Sequence, residues 1–284
     1  MGFNSGISWC DHTINFWTGC TKVSPGCKFC YMYRNKERFN TDPTVVMQTK
    51  MSTIMSTLRK VKPGEKIFTC SWSDFFIEGA DEWREWAWDI IRQHPQFVWQ
   101  ILTKRPERIK DCLPADWGDG WPQVWLGVSA ENQEYAAARI PALLLIPANV
   151  RFVSYEPALG PIDLSNIQRA SLHTDSLRGV MSTKNAALSA HIHTPIGKIH
   201  WVIIGGESGN TQGKYLYRPA ELSWFEDVVA QCKAAGTAVW VKQMGTHLQK
   251  QLGLKATHGT DIAEFPDRLQ VQQFPGDWQK GYVI

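Results

Sequence analysis

The chain has 284 residues, 43% hydrophobic and 20% charged, with a formal net charge of +3. That balance excludes a fibrous, low-complexity or disordered protein and allows one α/β barrel with embellishments. The longest unbroken apolar stretch, Ala142 to Ile146, is far short of the roughly 20 residues of a membrane-spanning helix.

The N-terminus, Met1-Gly-Phe-Asn-Ser-Gly, lacks the basic and apolar regions of a leader, and Gly6 stands where acylation wants Ser or Thr. A cytoplasmic protein without membrane contact is the expectation. The first apolar run, Thr13 to Trp17, leads into a loop whose cysteines Cys20, Cys27 and Cys30 are spaced C-x6-C-x2-C. Pro25 and Gly26 supply a turn that lets three thiolates converge. Four of the seven cysteines fall in the first 30 residues, a crowding that favours metal over disulfides. Three convergent thiolates can hold a [4Fe-4S] cubane and leave one iron open, whereas structural zinc closes with four ligands. Zinc completed by Cys10, His12 or another residue stays open as an alternative. Cys112 and Cys232 suit packing on helices.

Further runs at Lys66–Ser71, Phe97–Thr103, Val124–Val128, Val150–Tyr155, His200–Ile204 and Ala238–Val241 read as parallel strands buried on both faces. Asp81 is placed to cap a Trp-rich helix reaching about His94. A second helix runs from Arg218 to Gly236, with Pro219 at its first position and Gly236 at its stop. The alternation predicts βα units forming a partial or complete TIM-type barrel over residues 1–245, with an open doubly wound sheet as the alternative. In such a barrel the strand C-terminal ends build the site. Those ends carry Ser71, Ser73 and Asp74; Lys104 and Arg105; Ser129 and Glu131; Tyr155 and Glu156; Gly205, Gly206 and Glu207; Lys242 and Gln243.

Ser165 to His200, after the fifth strand, has no strong apolar period and carries Arg169, Arg178, Lys184 and Lys198 against Asp175, with His173, His191, His193 and His200. It reads as an insertion folded over the barrel rim, suited to an anionic substrate. Residues 246–284 form a mixed-charge, Gln-rich C-terminal extension.

The loop from Trp17-Thr-Gly-Cys20 to Ser24-Pro-Gly-Cys27-Lys-Phe-Cys30-Tyr31 resembles that of the phage-associated three-cysteine-motif proteins related to the radical SAM superfamily. So do Ser71-Trp-Ser-Asp74, Leu102-Thr-Lys-Arg-Pro106, Gly127-Val-Ser129, Tyr155-Glu-Pro157, Gly205-Gly-Glu-Ser-Gly209 and Val241-Lys-Gln243. The resemblance spans residues 7–245. It implies a βα barrel with its cluster loop after the first strand, and a [4Fe-4S] cluster on Cys20, Cys27 and Cys30. S-adenosylmethionine (SAM) is then bound at the open iron by its amino and carboxylate groups. After reduction by an external donor of flavodoxin or ferredoxin type, SAM is cleaved to a 5'-deoxyadenosyl radical that attacks a substrate this likeness does not name.

By the same resemblance Phe29, with Tyr31 beside it, matches the superfamily's aromatic near the adenine. Ser71, Ser73 and Asp74 stand where its GGE motif receives the SAM amino group, whereas Gly205-Gly206-Glu207 follows about the sixth strand. The six residues between Cys20 and Cys27, against the usual three, are a second departure. Ser129, Glu131 and Glu156 complete the cofactor-binding candidates, and Lys104, Tyr155 and Lys242 are candidates to steer or quench the product radical. The competing expectation is a zinc-stabilised nucleic-acid-binding module with Lys104, Arg105 and Arg108 on phosphates.

Overall fold

The computed structural model describes residues 5–185 and 190–276, with side chains described outside 184–193. Lys184, His191 and His193, as side chains, and residues 277–284 of the expected extension lie outside the described residues.

Seven strands form the central sheet: β1 (His12–Ile14), β2 (Lys66–Thr69), β3 (Val98–Thr103), β4 (Val124–Ser129), β5 (Val150–Tyr155), β6 (Trp201–Gly205) and β7 (Ala238–Gln243). All pairings are parallel and follow chain order from β1 to β7. The order never reverses, as that of a doubly wound sheet must. The result is a mixed α/β fold built on a large parallel half-barrel.

Strand alternation divides the side chains between two cores. Leu126, Val128, Val153, Tyr155, Val202 and Ile204 pack with the helices. Trp125, Val150, Phe152, Trp201 and Ile203 point the other way and cluster with Trp9, Phe68, Val98 and Trp240. This inner cluster fills the half-barrel from the strand N-terminal ends, with Trp125 and Trp201 edge-to-face at 5.7 Å. Toward the C-terminal ends the inward positions turn small or polar at Ser129, Ser154 and Lys242, which leaves room for a cavity.

The outer layer holds α1 (Tyr31–Arg38), α2 (Met51–Leu58), α3 (Asp81–Gln93), α4 (Gln133–Leu144) and α5 (Leu222–Ala235), and α6 (Gly245–Gln251) follows β7. Asp81 is the first helical residue of α3 rather than its cap, because its carboxylate is taken by Arg84 and Arg108. Pro219 stays outside α5, whose cap is Glu221, since Glu207 fixes Arg218 through both backbone and guanidinium. Gly236 ends α5 in the left-handed conformation (φ +67°) expected of a C-terminal stop. Among the described residues no helix is long and apolar enough to cross a membrane.

Among the described residues the segment between β5 and β6 holds no helix. It forms an antiparallel four-stranded meander of Ile167–Arg169, Leu172–Asp175, Val180–Asn185 and Ala190–Pro195. Its described contacts lie on the helix layer, where Arg178 reaches Ala234 of α5 and, just before the expected insertion, Leu164 and Ile162 bond Gln231. Ile167, Leu177 and Ile199 join the helix-side core. The physical reason is coverage: the outer face between α4 and α5 needs an apolar layer, and the meander takes the place of the missing crossover helix. His200 lies at the start of β6, accepting from Arg151 N at 3.0 Å, away from the mouth.

Among the described residues no ladder joins β1 to β7. The C-terminal extension runs along the open edge of β7 instead, through Val241 N to Val271 O and Gln273 N to Val239 O, both 2.9 Å. Phe274 packs on Trp240 with ring centroids 4.7 Å apart, and Trp240 Nε1 donates to Ser8 Oγ at 3.1 Å. The edge is thereby covered.

Candidate functional site

A cavity of about 250 Å³ opens at the C-terminal mouth of the half-barrel. Cys20, Cys27, Phe29, Cys30 and Tyr31 line it from the loop after β1, and Ser71, Ser73, Asp74, Lys104, Arg105, Ser129, Ser154, Glu156, Gly206, Glu207, Lys242 and Gln243 from the strand ends. Ile7, Trp9, Phe68 and Leu102 supply apolar wall. The rim expected from the sequence is thus brought together around the cysteine loop.

Tyr155 is the exception among the three proposed catalytic residues. Its ring is fully buried on the helix side near Phe225, and its hydroxyl donates to Gly160 O at 2.6 Å. Period-2 alternation gives the cavity Ser154 and turns Tyr155 outward. Gly205 and Glu131 also lie outside the lining: Gly205 packs on the Glu156 side chain, which a Cβ there would strike, and Gly206 permits close approach to the Met244 carbonyl.

Three buried carboxylates expected to bind a cofactor are instead engaged in holding the loop. Asp74 accepts from Phe76 N, Thr103 Oγ1 and Lys104 N at 3.0, 2.6 and 2.9 Å, and pairs with Arg105 at 3.2 Å. Arg105 in turn donates to Thr21 Oγ1 at 2.7 Å and reaches Cys20 Sγ at 3.8 Å. Glu131, 0% exposed, accepts from Ser24 Oγ at 2.5 Å and pairs with Arg139 at 2.8 Å. Glu207 pairs with Arg218, whose Nη1 donates to Pro25 O at 2.9 Å and whose guanidinium lies over the Phe29 ring. Ser73 Oγ adds a bond to Gly19 O at 2.5 Å, Asn15 Oδ1 accepts from Trp72 N and Ser71 Oγ, and Tyr31 OH donates to Ser71 O.

Sequence reasoning missed Arg218 and Ser24. Arg218 stands 193 residues from the Pro25 carbonyl it binds, and no local pattern announces such a contact. Arg105, which the competing nucleic-acid reading places on phosphate, pairs with Asp74 at 3.2 Å. Arg108 is likewise held by Asp81 at 2.6 Å.

Deeper in the cavity the polar groups are less committed. Lys242 Nζ and Gln243 Nε2 both donate to Glu156 Oε1 at 2.8 Å. Among the described residues nothing donates to Glu156 Oε2. Lys104 Nζ donates to Ser129 Oγ at 2.9 Å.

Burial pushes the Cys20 thiol up to about 12, with Asp74 adding to the rise and Arg105 opposing it. A metal bound there must displace that proton. Among the described residues no group of three or more His, Cys, Asp or Glu stands ready to hold a metal ion. The donor chemistry nonetheless suits a cluster: three cysteines of one loop line one cavity, with a guanidinium beside Cys20 to offset thiolate charge. Cys10 and His12 do not line the cavity. Burial holds the Cys10 thiol up at about 12, and His12 is bonded to Glu65 at 2.8 Å.

Fold and site together define an α/β half-barrel protein with a braced three-cysteine loop across its mouth. Residues 4–274 match the family described as a protein of unknown function, DUF5131, and the chain belongs to that family. No curated protein and no solved structure matches it.

Proposed function

We propose that the chain is a radical SAM enzyme on a partial TIM-type barrel, with Cys20, Cys27 and Cys30 as ligands of a [4Fe-4S] cluster. The observation that carries this reading is that all three loop cysteines line one cavity at the strand C-terminal ends. A bound and reduced cluster supplies the electron that splits SAM into methionine and a 5'-deoxyadenosyl radical.

The chain's own residues orient and shield the reactants. Glu156 Oε2 is the carboxylate oxygen with capacity to accept an ammonium by a charge-assisted hydrogen bond, a role that Asp74 and Glu207 are too committed to fill. Phe29, pinned beneath Arg218, offers an aromatic face for an adenine. Lys104 and Lys242 present ammonium groups to the substrate side, and the apolar wall excludes water from the radical's path.

The test is anaerobic reconstitution with iron and sulfide. Wild-type protein and Cys10→Ala are expected to turn brown and to cleave SAM slowly under a strong reductant, whereas Cys20→Ala, Cys27→Ala and Cys30→Ala each lose colour and bound iron. Stoichiometric zinc without sulfide would overturn the assignment and favour a zinc-stabilised binding module.

A further inference from the structure

Six of the ten exposed large hydrophobic residues described in the molecule, Val23, Tyr31, Phe39, Val45, Met47 and Met51, fall within residues 23–51. Exposed apolar side chains scattered singly need no explanation, but this concentration occupies about a tenth of the chain and sits on the segment that carries the cysteine loop. The segment is tied to the loop directly: Cys20 N donates to Pro43 O at 2.9 Å, and Tyr33 OH to Cys20 O at 2.6 Å. A Cβ on Gly19 would strike the Val45 carbonyl, and Met47 pairs with Thr18 in a short antiparallel ladder, so both lie beside the start of the loop.

The same stretch is electropositive. Lys22, Lys28, Arg38 and Lys50 are exposed and form no ion pair among the described residues. Its two acids are already engaged, Glu37 by Lys214 at 2.8 Å and Asp42 by Thr44 N and Oγ1. Elsewhere Lys66 pairs with Asp11, Arg92 with Asp116 and Arg268 with Glu226. The exposed Arg59, Lys62, Lys110, Arg169, Lys233 and Lys255, unpaired among the described residues, are spread along the chain away from the cysteine loop.

The opposite end of the half-barrel offers no route to the cavity, because Trp201, Trp240 and Phe274 fill it. A macromolecule that acts on the cysteine site must therefore approach from the mouth, across this surface.

Resting on the functional reading above, we propose that residues 22–51 form the docking face for an acidic one-electron carrier protein. Unpaired cations suit an acidic partner and would steer its approach. Exposed Met and aromatic side chains suit the small, partly apolar contact of a transient redox pair. Four of the six apolar groups are aliphatic or thioether and cannot stack bases, which sets the surface apart from a single-stranded nucleic-acid platform. In the transfer, an anionic flavin hydroquinone on the carrier loses one electron to become the neutral semiquinone, and the oxidised cluster gains it. No bond between the proteins forms, and no proton moves between them.

The test follows bleaching of the reconstituted cluster at low ionic strength, with flavodoxin hydroquinone or photoreduced 5-deazaflavin, an uncharged small reductant. Arg38→Glu with Lys50→Glu is expected to slow reduction by flavodoxin at least tenfold and to leave reduction by deazaflavin unchanged. Met47→Ser with Val45→Ser, which alters no charge, is the second variant and is expected to slow flavodoxin alone by a smaller factor. Equal flavodoxin rates in wild type and both variants overturn the docking face while leaving the cluster reading intact. Salt-sensitive binding of an oligonucleotide that is lost in the charge-reversed variant, with flavodoxin rates unaffected, overturns it in favour of nucleic acid. Wild-type protein that takes up no iron and sulfide sinks both readings together.

Discussion

Three carboxylates that a chemist would assign to ligand binding are consumed in making the loop rigid. Glu131 shows the energetics most clearly. It is fully buried with Arg139, itself 4% exposed, and breaking such a pair by removing one partner costs about 3–5 kcal/mol because the other charge stays buried alone. Glu131→Ala is therefore expected to lower stability by that amount in urea unfolding. Gly26→Ala should behave differently: its Cβ would lie 2.6 Å from Glu131 Cγ, so the loop must lift while the barrel stays folded. Iron uptake is expected to fall severalfold with an unfolding free energy changed by about 1 kcal/mol or less. Unimpaired uptake in Gly26→Ala would show that the brace does not set the loop's geometry. The cysteines were legible because Pro25 and Gly26 mark their turn locally. The braces were not, since each depends on contacts between strand ends that only the closed sheet brings together.

The seven strands stand within a few residues of their expected positions, because a strand covered on both faces writes a continuous apolar run. The insertion between β5 and β6 defeated that signal. Its strands carry consecutive polar residues, as in His173-Thr-Asp175 and Ser182-Thr-Lys-Asn185, so the meander reads as irregular polar chain. Where it returns to the sheet, His200 accepts from Arg151 N through Nδ1 at 3.0 Å, a bond available only to the neutral ring with its proton on Nε2. Burial, with Arg151 and Lys198 nearby, pulls this histidine from 6.5 down to about 4. Between those values the unfolded chain binds the extra proton and the native one does not, so stability rises with pH across the window. The contribution is full above pH 6.5 and is lost as pH falls through 4. One pKa unit is worth about 1.4 kcal/mol, which bounds the loss at about 3 kcal/mol. Urea unfolding at pH 7.5 and 4.5 should show a difference that shrinks by up to that amount in His200→Gln. An identical pH dependence in the variant would assign the slope to carboxylates such as Asp11 and Asp81, whose acidity is also raised by their partners.

At the scale of the whole molecule, one sheet serves two cores that divide the labour of stability and function. The helix-side core was foreseeable from amphipathic helices and apolar strands. The inner aromatic cluster was not, because fourteen tryptophans in a sequence do not say which of them share a face. The role of the C-terminal extension was equally hidden: its Gln-rich composition gives no period, yet Val271, Gln273 and Phe274 cover β7 and plug the half-barrel opposite the cysteines. The plug lies against Trp201 and Trp240, and the loop braces rest on Asp74, Glu131 and Glu207, so no residue is shared between the two. Phe274→Ala should accordingly weaken the fold without touching the mouth. Truncating a fully buried Phe costs about 3–5 kcal/mol, and a partly exposed one roughly 2 kcal/mol. The variant is expected to unfold at lower urea concentration by that margin, while iron bound per folded molecule after anaerobic reconstitution stays at the wild-type level. If iron is lost while the unfolding midpoint is unchanged, the two ends of the half-barrel are mechanically coupled, and the separation of plug from site does not hold.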